Sequence, residues 1–579
     1  MISKSGISLL QYIKKLRTIL NQPEKKFLYF WFWTQSFLIV FDFIAIILAA
    51  LVASAFVPII QSHPENIPRI VNEFYKIIGL DISIYKFLFM LAGTSGLLVL
   101  ARSSISVLVE NQFYSRLKFT TERLAKQLIE NHFRLSVEKR AKISEVQTYI
   151  AIHESLNSLT IYVLGNLVSI LAEVCTLTVF LIALLVWKPL ITSILLLTVS
   201  ISTITSLRYH IKKSRKLSKS FTELNVESTQ ELFSLQKLES DYRLNNSFSE
   251  ALEEYLSRRR RLSSAIAYRQ VQFGIPRLIL ESSIVIGGLV TGLLIWYFMN
   301  VSQGLVVLAT FMVIGLRVQP SLSKIQNGVQ IFSQHRESSD VALNLLIHYS
   351  SFGSEPKSDL GEVVLGENLE STVKVVNLEY TFQDGNSLFD GLNFTFPKAG
   401  IYLLKGKNGV GKTTLLEILC GLRKPSLGQI TLNGQNITEL DSEELSSAIS
   451  YLSQKPSFTH QTILHSLILE RRNQENESKI VEGIEILKAL GLDLHKYNLE
   501  EELELDSLLS EGEKQKIGLA RALSRKKKLI LLDEPTSSLD HQAMVTLKSL
   551  LVEKYADCFI FIACHDKFFD EVAEGEIWI

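Results

Sequence analysis

The chain has 579 residues, which is too long for one domain, because domains usually hold roughly 100 to 200 residues. Hydrophobic residues make up 47% of it, and the apolar runs are concentrated before residue 330, which excludes a wholly soluble protein. The formal net charge of +1 at pH 7 does not point to a nucleic-acid partner, and we expect none.

Six apolar segments in the first part of the chain are long enough, or nearly so, to cross a bilayer. A hydrocarbon core of about 30 Å requires about 20 helical residues. The segments run over residues 27–60, 87–109, 156–187, 189–207, 278–301 and 304–323. We therefore predict a transmembrane domain over residues 27–330, with six spans and two long cytoplasmic helical extensions, followed by a linker over residues 331–372.

Residues 1–26 precede the first span and contain the amphipathic stretch ISLLQYIKKLRTIL. Its apolar residues share one helical face and its lysines and arginine the other, which is typical of a helix on the inner membrane surface. Lys and Arg are also abundant between spans 2 and 3 and between spans 4 and 5, for example in the arginine run at 258–261. By the positive-inside rule, both termini are predicted to be cytoplasmic, with the spans in the lipid bilayer of the inner membrane.

The strongest chemical signal is the stretch YLLKGKNGVGKTTLLEIL in the soluble part, residues 373–579. An apolar strand precedes it and an apolar helix follows, as in a P-loop, where backbone N–H groups surround phosphates. Lys412 offers a positive charge to the β- and γ-phosphates, and the Thr413 hydroxyl is a ligand for Mg²⁺. The predicted nucleotide-binding residues of this loop are Gly406, Lys407, Asn408, Gly409, Val410, Gly411, Lys412, Thr413 and Thr414.

A second catalytic pattern is KKLILLDEPTSSLD, in which the apolar residues 529–532 end at two carboxylates. A buried strand that ends in this way positions Asp533 near the water shell of the metal. Glu534 then lies where it can polarise an attacking water molecule. The alternative, a strand end with solvated acids, is disfavoured because a P-loop precedes it in the same domain.

The order of these motifs resembles the nucleotide-binding domain of ATP-binding cassette (ABC) transporters. In addition to the P-loop and LLDEP, the chain contains Gln454 in ISYLSQKPSF, LSEGE in the position of the signature, SSLD ending at Asp540, and His565 after CFIFIAC. The resemblance implies that Gln454 senses Mg²⁺ and the γ-phosphate and that His565 holds the γ-phosphate. It implies catalytic roles for Glu534, His565 and Gln454, and metal roles for Thr413, Gln454 and Asp533.

An adenine-stacking aromatic residue is expected before the P-loop in such a domain. The stretch NLEYTFQDG offers Tyr380 and Phe382. The family spacing selects Phe382 for the adenine and leaves Tyr380 as a core residue.

The signature stretch LLSEGEKQKIGLARAL has glutamate where the family usually has glycine. Ser510 supplies a small hydroxyl donor and Gly512 a close backbone approach, while Glu513, three residues after Ser510, fits a helix-capping box. Because a carboxylate directed at the γ-phosphate would repel it, we predict that Glu511 points outward. The predicted signature residues are Ser510, Glu511, Gly512 and Glu513, joined by Asp540 from the following loop.

The complete pattern resembles a half-transporter of the exporter type. Its fold is an α-helical six-span transmembrane domain of the type I exporter kind, followed by an α/β P-loop nucleotide-binding domain. Such a chain works as a homodimer, because the P-loop of one copy faces the signature of the other. The resemblance implies ATP and Mg²⁺ as ligands and an ATP hydrolase coupled to transport of a small or lipid-linked substrate.

Charged residues within the spans suggest where the substrate binds. Burying a charge in a bilayer costs free energy, so residues of this kind usually have a function. The islands ARSS, PRLILES and LRVQPSLSKI resemble bacterial lipid-linked oligosaccharide flippases, which implies that Arg102, Arg277 and Arg317 meet a lipid pyrophosphate. An equally open reading pairs Arg277 with Glu281 within one helix. A peptide or secondary-metabolite exporter is the alternative, and a non-pumping ABC regulator or channel is a further class.

Overall fold

The computed structural model describes residues 9–60, 69–78, 83–133, 135, 139–140, 143–187, 189–298, 301–351, 372–382, 385–432, 434–437, 440, 442–458, 460–469, 476–501 and 503–579. The chain divides into two compact units. The first comprises Met1–Arg134 and Ile143–Gly353, and the second comprises Leu135–Lys142 and Ser354–Ile579.

The first unit is helical. Its described helices are α1 (Leu9–Ile19), α2 (Gln22–Ile60), α3 (Arg69–Ile78), α4 (Ile84–Phe133), α5 (Glu145–Ile150), α6 (Asn166–Trp187), α7 (Pro189–Lys237), α8 (Glu239–Leu244), α9 (Phe248–Phe298) and α10 (Val301–Ser351). Two π-helical stretches, Ala151–Ser155 and Ser158–Gly165, lead from α5 towards α6. The long helices continue well past their apolar windows, as expected for spans with polar helical extensions.

Four helical segments in the described part of this unit are long and apolar enough to cross a membrane: Gln22–Ala55, Ile84–Phe133, Glu145–Val186 and Phe248–Leu293. They contain the predicted spans 1, 2, 3 and 5, either whole or in large part. The predicted spans 4 and 6 fall within α7 and α10; most side chains of span 4 and about half of those of span 6 lie outside the described residues. The count of six spans therefore stays a prediction.

The structure adds detail at two segments next to the predicted transmembrane domain. The helix α10 continues through Ser351, so the first part of the predicted linker 331–372 is helical; the hydropathy drops after residue 323, but the helical pattern does not end there. The amphipathic segment forms α1, and its Tyr12 and Leu16 are buried. The Tyr12 hydroxyl lies 2.6 Å from Ser339 Oγ on α10, so this face of α1 packs against protein.

The second unit is an α/β domain. Its strands are β1 (Val373–Thr381), β2 (Ser387–Phe396), β3 (Gly400–Lys405), β4 (Leu427–Leu432), β5 (Gln435–Asn436), β6 (Ile449–Leu452), β7 (His460–Gln461), β8 (Leu503–Glu504), β9 (Leu529–Asp533), β10 (Phe559–Ala563) and β11 (Gly575–Trp578). Its helices are α11 (Lys412–Leu419), α12 (Ser442–Ala448), α13 (Ile463–Ile468), α14 (Glu477–Ala489), α15 (Leu505–Leu508), α16 (Glu511–Leu523) and α17 (His541–Lys554).

A parallel sheet organises this unit, with strand order β11-β3-β10-β9-β6. The strands β9 and β10 are buried along their whole length, which explains their unbroken runs of apolar residues. An antiparallel sheet with order β2-β1-β4-β5 lies in the same unit. Because the parallel strands share one direction, the segments that follow β3, β6, β9 and β10 emerge at the same sheet edge, where ligands of such sheets bind.

Candidate active site

The P-loop joins the end of β3 to the start of α11. Gly406, Gly409 and Gly411 have φ values of 154°, 82° and 108°, a region that side chains with a Cβ rarely adopt. A Cβ on Gly411 would also lie 2.8 Å from Leu388 Cδ2. The glycine spacing read from the sequence is therefore required by both the backbone path and the packing.

Lys412 is buried at the first turn of α11. Its Nζ donates to the carbonyl oxygens of Gly406, at 3.0 Å, and Lys407, at 3.2 Å. The ammonium group thus lies inside the loop whose N–H groups would surround the phosphates. Asn408, Gly409 and Val410 complete that turn, and Thr413 and Thr414 follow in the helix.

Asp533 ends β9 beside the start of α11. Burial raises the pKa of its carboxyl group, with the Thr413 hydrogen bond lowering it and the nearby carboxylate of Glu534 raising it again. Its Oδ2 atom is buried and has no hydrogen-bond partner among the described residues. An orphaned carboxylate oxygen beside a threonine hydroxyl fits Mg²⁺, which prefers oxygen ligands and is usually completed by water and phosphate.

Glu534 directly follows β9, and its carboxylate contacts two residues from neighbouring strand ends. Gln454, two residues after β6, donates from Nε2 to Glu534 Oε2 at 2.9 Å. His565, two residues after β10, has its Nε2 atom 3.3 Å from Glu534 Oε1. The three residues predicted to be catalytic therefore meet at one sheet edge.

The backbone of Glu534 adopts a left-handed conformation with φ of 48°, which is unfavourable for a residue with a side chain. Hydrogen bonds hold it there: its N–H donates to the carbonyl of Ala563 at 2.8 Å, and its carbonyl accepts from the N–H of Ser537 at 3.2 Å. The buried amide of Gln515 also donates to this carbonyl, at 3.3 Å. Gln515 lies on α16 and was not among the residues predicted from the sequence.

The signature segment begins α16 as the sequence predicts. Ser510 is the N-cap, and its side chain accepts from the N–H of Glu513 while the Glu513 carboxylate accepts from the N–H of Ser510 at 2.9 Å. The predicted capping box is confirmed. This helix therefore has an ordered N-terminus, the feature that attracts a phosphate.

Two residues outside the signature hold Glu513. Its Oε1 accepts from the Tyr497 hydroxyl at 2.8 Å and from Lys496 Nζ at 3.2 Å. Partial burial alone would raise the pKa of this carboxyl group, but the hydrogen bonds from Ser510, Tyr497 and Lys496 lower it to about 2. No pattern near the signature indicates this support, because Tyr497 lies thirteen residues before Ser510 in the chain.

Glu511 lies on the exposed side of the helix start. Its side chain is 68% exposed, and Lys514 Nζ lies 3.0 Å from its carboxylate. The outward direction predicted for Glu511 concerns a γ-phosphate bound between two copies and stays a prediction. Gly512, in contrast, lies against the backbone of the neighbouring loop, since a Cβ there would lie 2.7 Å from the carbonyl oxygen of Ser538.

Asp540 caps α17 by accepting from the N–H of Ala543 at 2.8 Å. Lys516 on α16 lies 3.0 Å from the same carboxylate, and both interactions lower the pKa of Asp540. Phe382, predicted to stack on adenine, is 36% exposed at the end of β1, whereas Tyr380 is buried. Phe382 is thus accessible, and the core position predicted for Tyr380 is confirmed.

The predicted substrate arginines are in the helical unit. Arg102 Nε lies 3.2 Å from the buried Asp42 on α2, so this arginine has an interhelical partner that sequence spacing could not reveal. Arg277 lies 2.8 Å from Glu281, as in the pairing left open above. Arg317 is on α10, but its side chain lies outside the described part of the chain.

Fold and site together define a P-loop ATPase domain in one chain with a helical domain that has membrane-spanning character. The model of the ABC transporter family matches residues 389–537. The lipoprotein-releasing system ATP-binding protein LolD of Buchnera aphidicola is 32% identical over 208 residues, which are 34% of this chain and 88% of LolD. The chain therefore belongs to the ABC transporter family.

Other relatives extend the comparison. The transport/processing ATP-binding protein ComA of Streptococcus pneumoniae is 33% identical over 174 residues, which are 30% of this chain and 24% of ComA. The lactococcin-A transport/processing protein LcnC of Lactococcus lactis is 32% identical over 178 residues, or 24% of its length. The chain therefore matches about a quarter of these two relatives.

A solved structure matches nearly the whole chain. The structure of a bacterial Atm1-family ABC exporter with ATP bound aligns with a TM-score of 0.70. The alignment covers 93% of this chain and 92% of the exporter chain. The sequence identity is 15%, so this likeness concerns the fold alone. The protein has the fold of an ABC exporter, with a helical membrane domain and an ABC ATPase domain.

Proposed function

We propose that the protein is an ATP-driven exporter that moves an amphipathic substrate from the cytoplasmic side of the inner membrane outward. The meeting of Glu534, Gln454 and His565 at the sheet edge beside the P-loop carries this proposal. A regulator or channel without pumping would be favoured if Glu534 or Ser510 were missing. Both residues are present.

The chemistry of hydrolysis follows from these contacts. Lys412 and the P-loop N–H groups would bind the phosphates, and Thr413 and Asp533 would hold Mg²⁺, which would supply positive charge against the phosphates. The Glu534 carboxylate accepts a proton from the attacking water, while Gln454 and His565 orient that carboxylate. Fixed polar groups of this kind lower the barrier because they need no rearrangement during the reaction.

We further propose a homodimer in which Ser510, Glu511, Gly512, Glu513 and Asp540 of one copy complete the nucleotide site of the other. The N-terminus of α16 supports this arrangement, since the positive end of a helix dipole suits a γ-phosphate. ATP binding would close the two ATPase domains and hydrolysis would reopen them. Both termini would face the cytoplasm.

The cargo has two candidate classes. The sequence islands around Arg102, Arg277 and Arg317 favour a lipid-linked oligosaccharide or another lipid, whose pyrophosphate would need unpaired cations. The pairs Arg102–Asp42 and Arg277–Glu281 weaken that argument, because both described arginines already face carboxylates. The peptide alternative is compatible with the similarity to LcnC, which is named for lactococcin-A transport.

ATP hydrolysis by the purified protein in lipid vesicles tests the pump. We expect Mg²⁺-dependent hydrolysis in the wild type and a loss of at least about a hundredfold in Glu534→Gln, because the variant keeps the shape but not the base. Glu571→Gln is a matched control, since that glutamate is 85% exposed and pairs with Lys548 of α17. Equal, slow hydrolysis by wild type and Glu534→Gln would refute the proposal.

A further inference from the structure

A proline within α9 leaves one backbone carbonyl of that helix without its usual partner. Pro276 is buried inside α9, and it has no N–H to donate to the carbonyl oxygen four residues earlier. That oxygen belongs to Gln272, which is 8% exposed. A buried carbonyl without a donor is unfavourable, so this position requires a donor from another part of the protein.

The donor comes from α10. The side-chain amide of Gln330 donates from Nε2 to the Gln272 carbonyl oxygen at 3.0 Å, and Gln330 is 5% exposed. This hydrogen bond takes the place of the bond that Pro276 cannot make within α9. The interrupted turn of α9 is therefore joined to α10 by one side chain.

A second glutamine precedes Gln330 by one helical turn. Gln326 lies four residues earlier on α10, so the two side chains extend from the same face of the helix. Gln326 is 2% exposed, and neither its amide nitrogen nor its amide oxygen has a hydrogen-bond partner in the described part of the chain. Leaving both atoms buried and unpaired costs free energy, which favours a second state in which Gln326 is hydrogen-bonded.

The two helices that precede α10 are held to each other by contacts of their own. The helices α7 and α9 are joined through the short helix α8, and we call residues 189–298 the α7–α9 hairpin. Arg258 of α9 lies 3.5 Å from Glu231 of α7, and the Arg269 guanidinium lies 4.3 Å from the centre of the Phe221 ring. These contacts allow the hairpin to move as a body relative to α10.

The hairpin bonds to α10 through groups that recur at successive turns of α10. In addition to the Gln272 contact, the Ser218 hydroxyl of the hairpin donates to the backbone carbonyl of Gln334. A helical step of four residues is about 6 Å. If the hairpin moved by one such step towards the start of α10, Gln272 would face Gln326. The same step would carry Ser218 to the carbonyl of Gln330, so both hydrogen bonds would form again with new partners.

We propose that the Gln272 carbonyl changes its partner from Gln330 to Gln326 during the transport cycle, so that the α7–α9 hairpin and α10 have two bonded registers one helical turn apart. One-turn shifts of one packed element past another are an established form of switching between two states. Pro276 frees the acceptor, and each glutamine is the donor in one register. The second register rests on the proposed transport function, whereas the bond to Gln330 does not depend on it.

Thermal unfolding of the detergent-purified full-length protein tests the inference in two nucleotide states. All variants carry Glu534→Gln, which is expected to retain Mg²⁺-ATP, and each is measured with and without Mg²⁺-ATP. Gln330→Leu should lower the unfolding temperature by about 2–4 °C in one state and Gln326→Leu in the other, because each leaves the Gln272 carbonyl without a donor in only one register. Gln270→Leu replaces an exposed glutamine of α9 and should leave both temperatures unchanged.

Restoring the missing N–H separates the loss of this hydrogen bond from a packing defect. Pro276→Ala supplies a helical donor for the Gln272 carbonyl within α9. In that background, neither Gln330→Leu nor Gln326→Leu should lower the unfolding temperature further, because the carbonyl no longer depends on α10. A packing defect caused by leucine would persist in the same background.

The outcomes distinguish this inference from the proposed function. The inference is overturned if both substitutions act in the same nucleotide state, if Gln326→Leu has no effect in either state, or if Pro276→Ala leaves the losses unchanged. In each of these cases, hydrolysis by the wild type that depends on Glu534 leaves the export proposal standing. If Glu534-dependent hydrolysis is absent, the proposed function fails, and the second register fails with it.

Discussion

Replacing Gln515 by methionine would test how the catalytic carboxylate is held in place. Gln515 is buried and donates to the carbonyl of Glu534 at 3.3 Å, while the Glu534 backbone remains at an unfavourable φ of 48°. Methionine has a similar volume, so the packing changes little, but it cannot donate this hydrogen bond. The variant therefore removes mainly the bond.

The magnitude follows from the contacts that remain. A left-handed conformation costs about 1–3 kcal/mol, and a buried hydrogen bond contributes about 0.5–1.5 kcal/mol. The Ser537 N–H still donates to the same carbonyl at 3.2 Å, so the carbonyl keeps one partner. We expect kcat for ATP hydrolysis to fall by about three- to tenfold. The KM for ATP should stay the same, because the hydrogen bond that the substitution removes joins Gln515 to Glu534 and not to a P-loop residue.

The assay is Mg²⁺-dependent ATP hydrolysis in vesicles, measured over a range of ATP concentrations. A double-mutant cycle with Glu534→Gln is the decisive control. If Gln515 acts through Glu534, Gln515→Met should have no further effect on the residual hydrolysis of Glu534→Gln. An equal loss in both backgrounds, or a loss that appears only in KM, would refute the reasoning.

Three further changes have defined outcomes. Glu513→Gln should lower the free energy of unfolding by about 1–2 kcal/mol at pH 7. The pKa of Glu513 is about 2 in the fold and about 4.3 in the unfolded chain, so the difference between wild type and variant in thermal unfolding should shrink as pH falls from about 4.3 to about 2. A difference that does not depend on pH would contradict this. Gly512→Ala should reduce ATP hydrolysis by more than about tenfold, because its Cβ would meet the Ser538 carbonyl, and full activity would contradict this. Asp42→Asn should destabilise the detergent-purified protein by about 3–5 kcal/mol by leaving Arg102 unpaired, whereas adding Arg102→Gln should restore much of the loss; equal unfolding temperatures of single and double variants would contradict the pairing.

Patterns within a few residues predicted local features of the ATPase domain, and the nucleotide-binding roles of these residues stay a prediction. The P-loop, the strand ending at Asp533 and the capping box between Ser510 and Glu513 all depend on contacts between near neighbours in the chain. The apolar windows predicted six spans, and four of them correspond to membrane-type helices in the described residues, because hydropathy is a property of a short segment.

Contacts across the chain could not be predicted in this way. The partner of Arg102 is Asp42, and its proximity depends on how α2 and α4 pack. Gln515 was missed for the same reason, since nothing in its own segment shows that the turn after β9 lies beside it. The extent of α10 is a further example, because the helix continues to Ser351 although hydropathy drops after residue 323.

The position of Lys412 has a consequence for nucleotide recognition. Its ammonium group already has two backbone acceptors, the carbonyls of Gly406 and Lys407. Phosphate binding therefore replaces the carbonyl acceptors of Lys412 by phosphate oxygens. The ammonium group is already hydrogen-bonded before the nucleotide arrives. The affinity for the nucleotide depends on the difference in free energy between the loop with Lys412 bonded to its own carbonyls and the loop with Lys412 bonded to phosphate. A change in loop geometry that weakens the bonds to the carbonyls would therefore tighten nucleotide binding, although it adds no contact to the nucleotide.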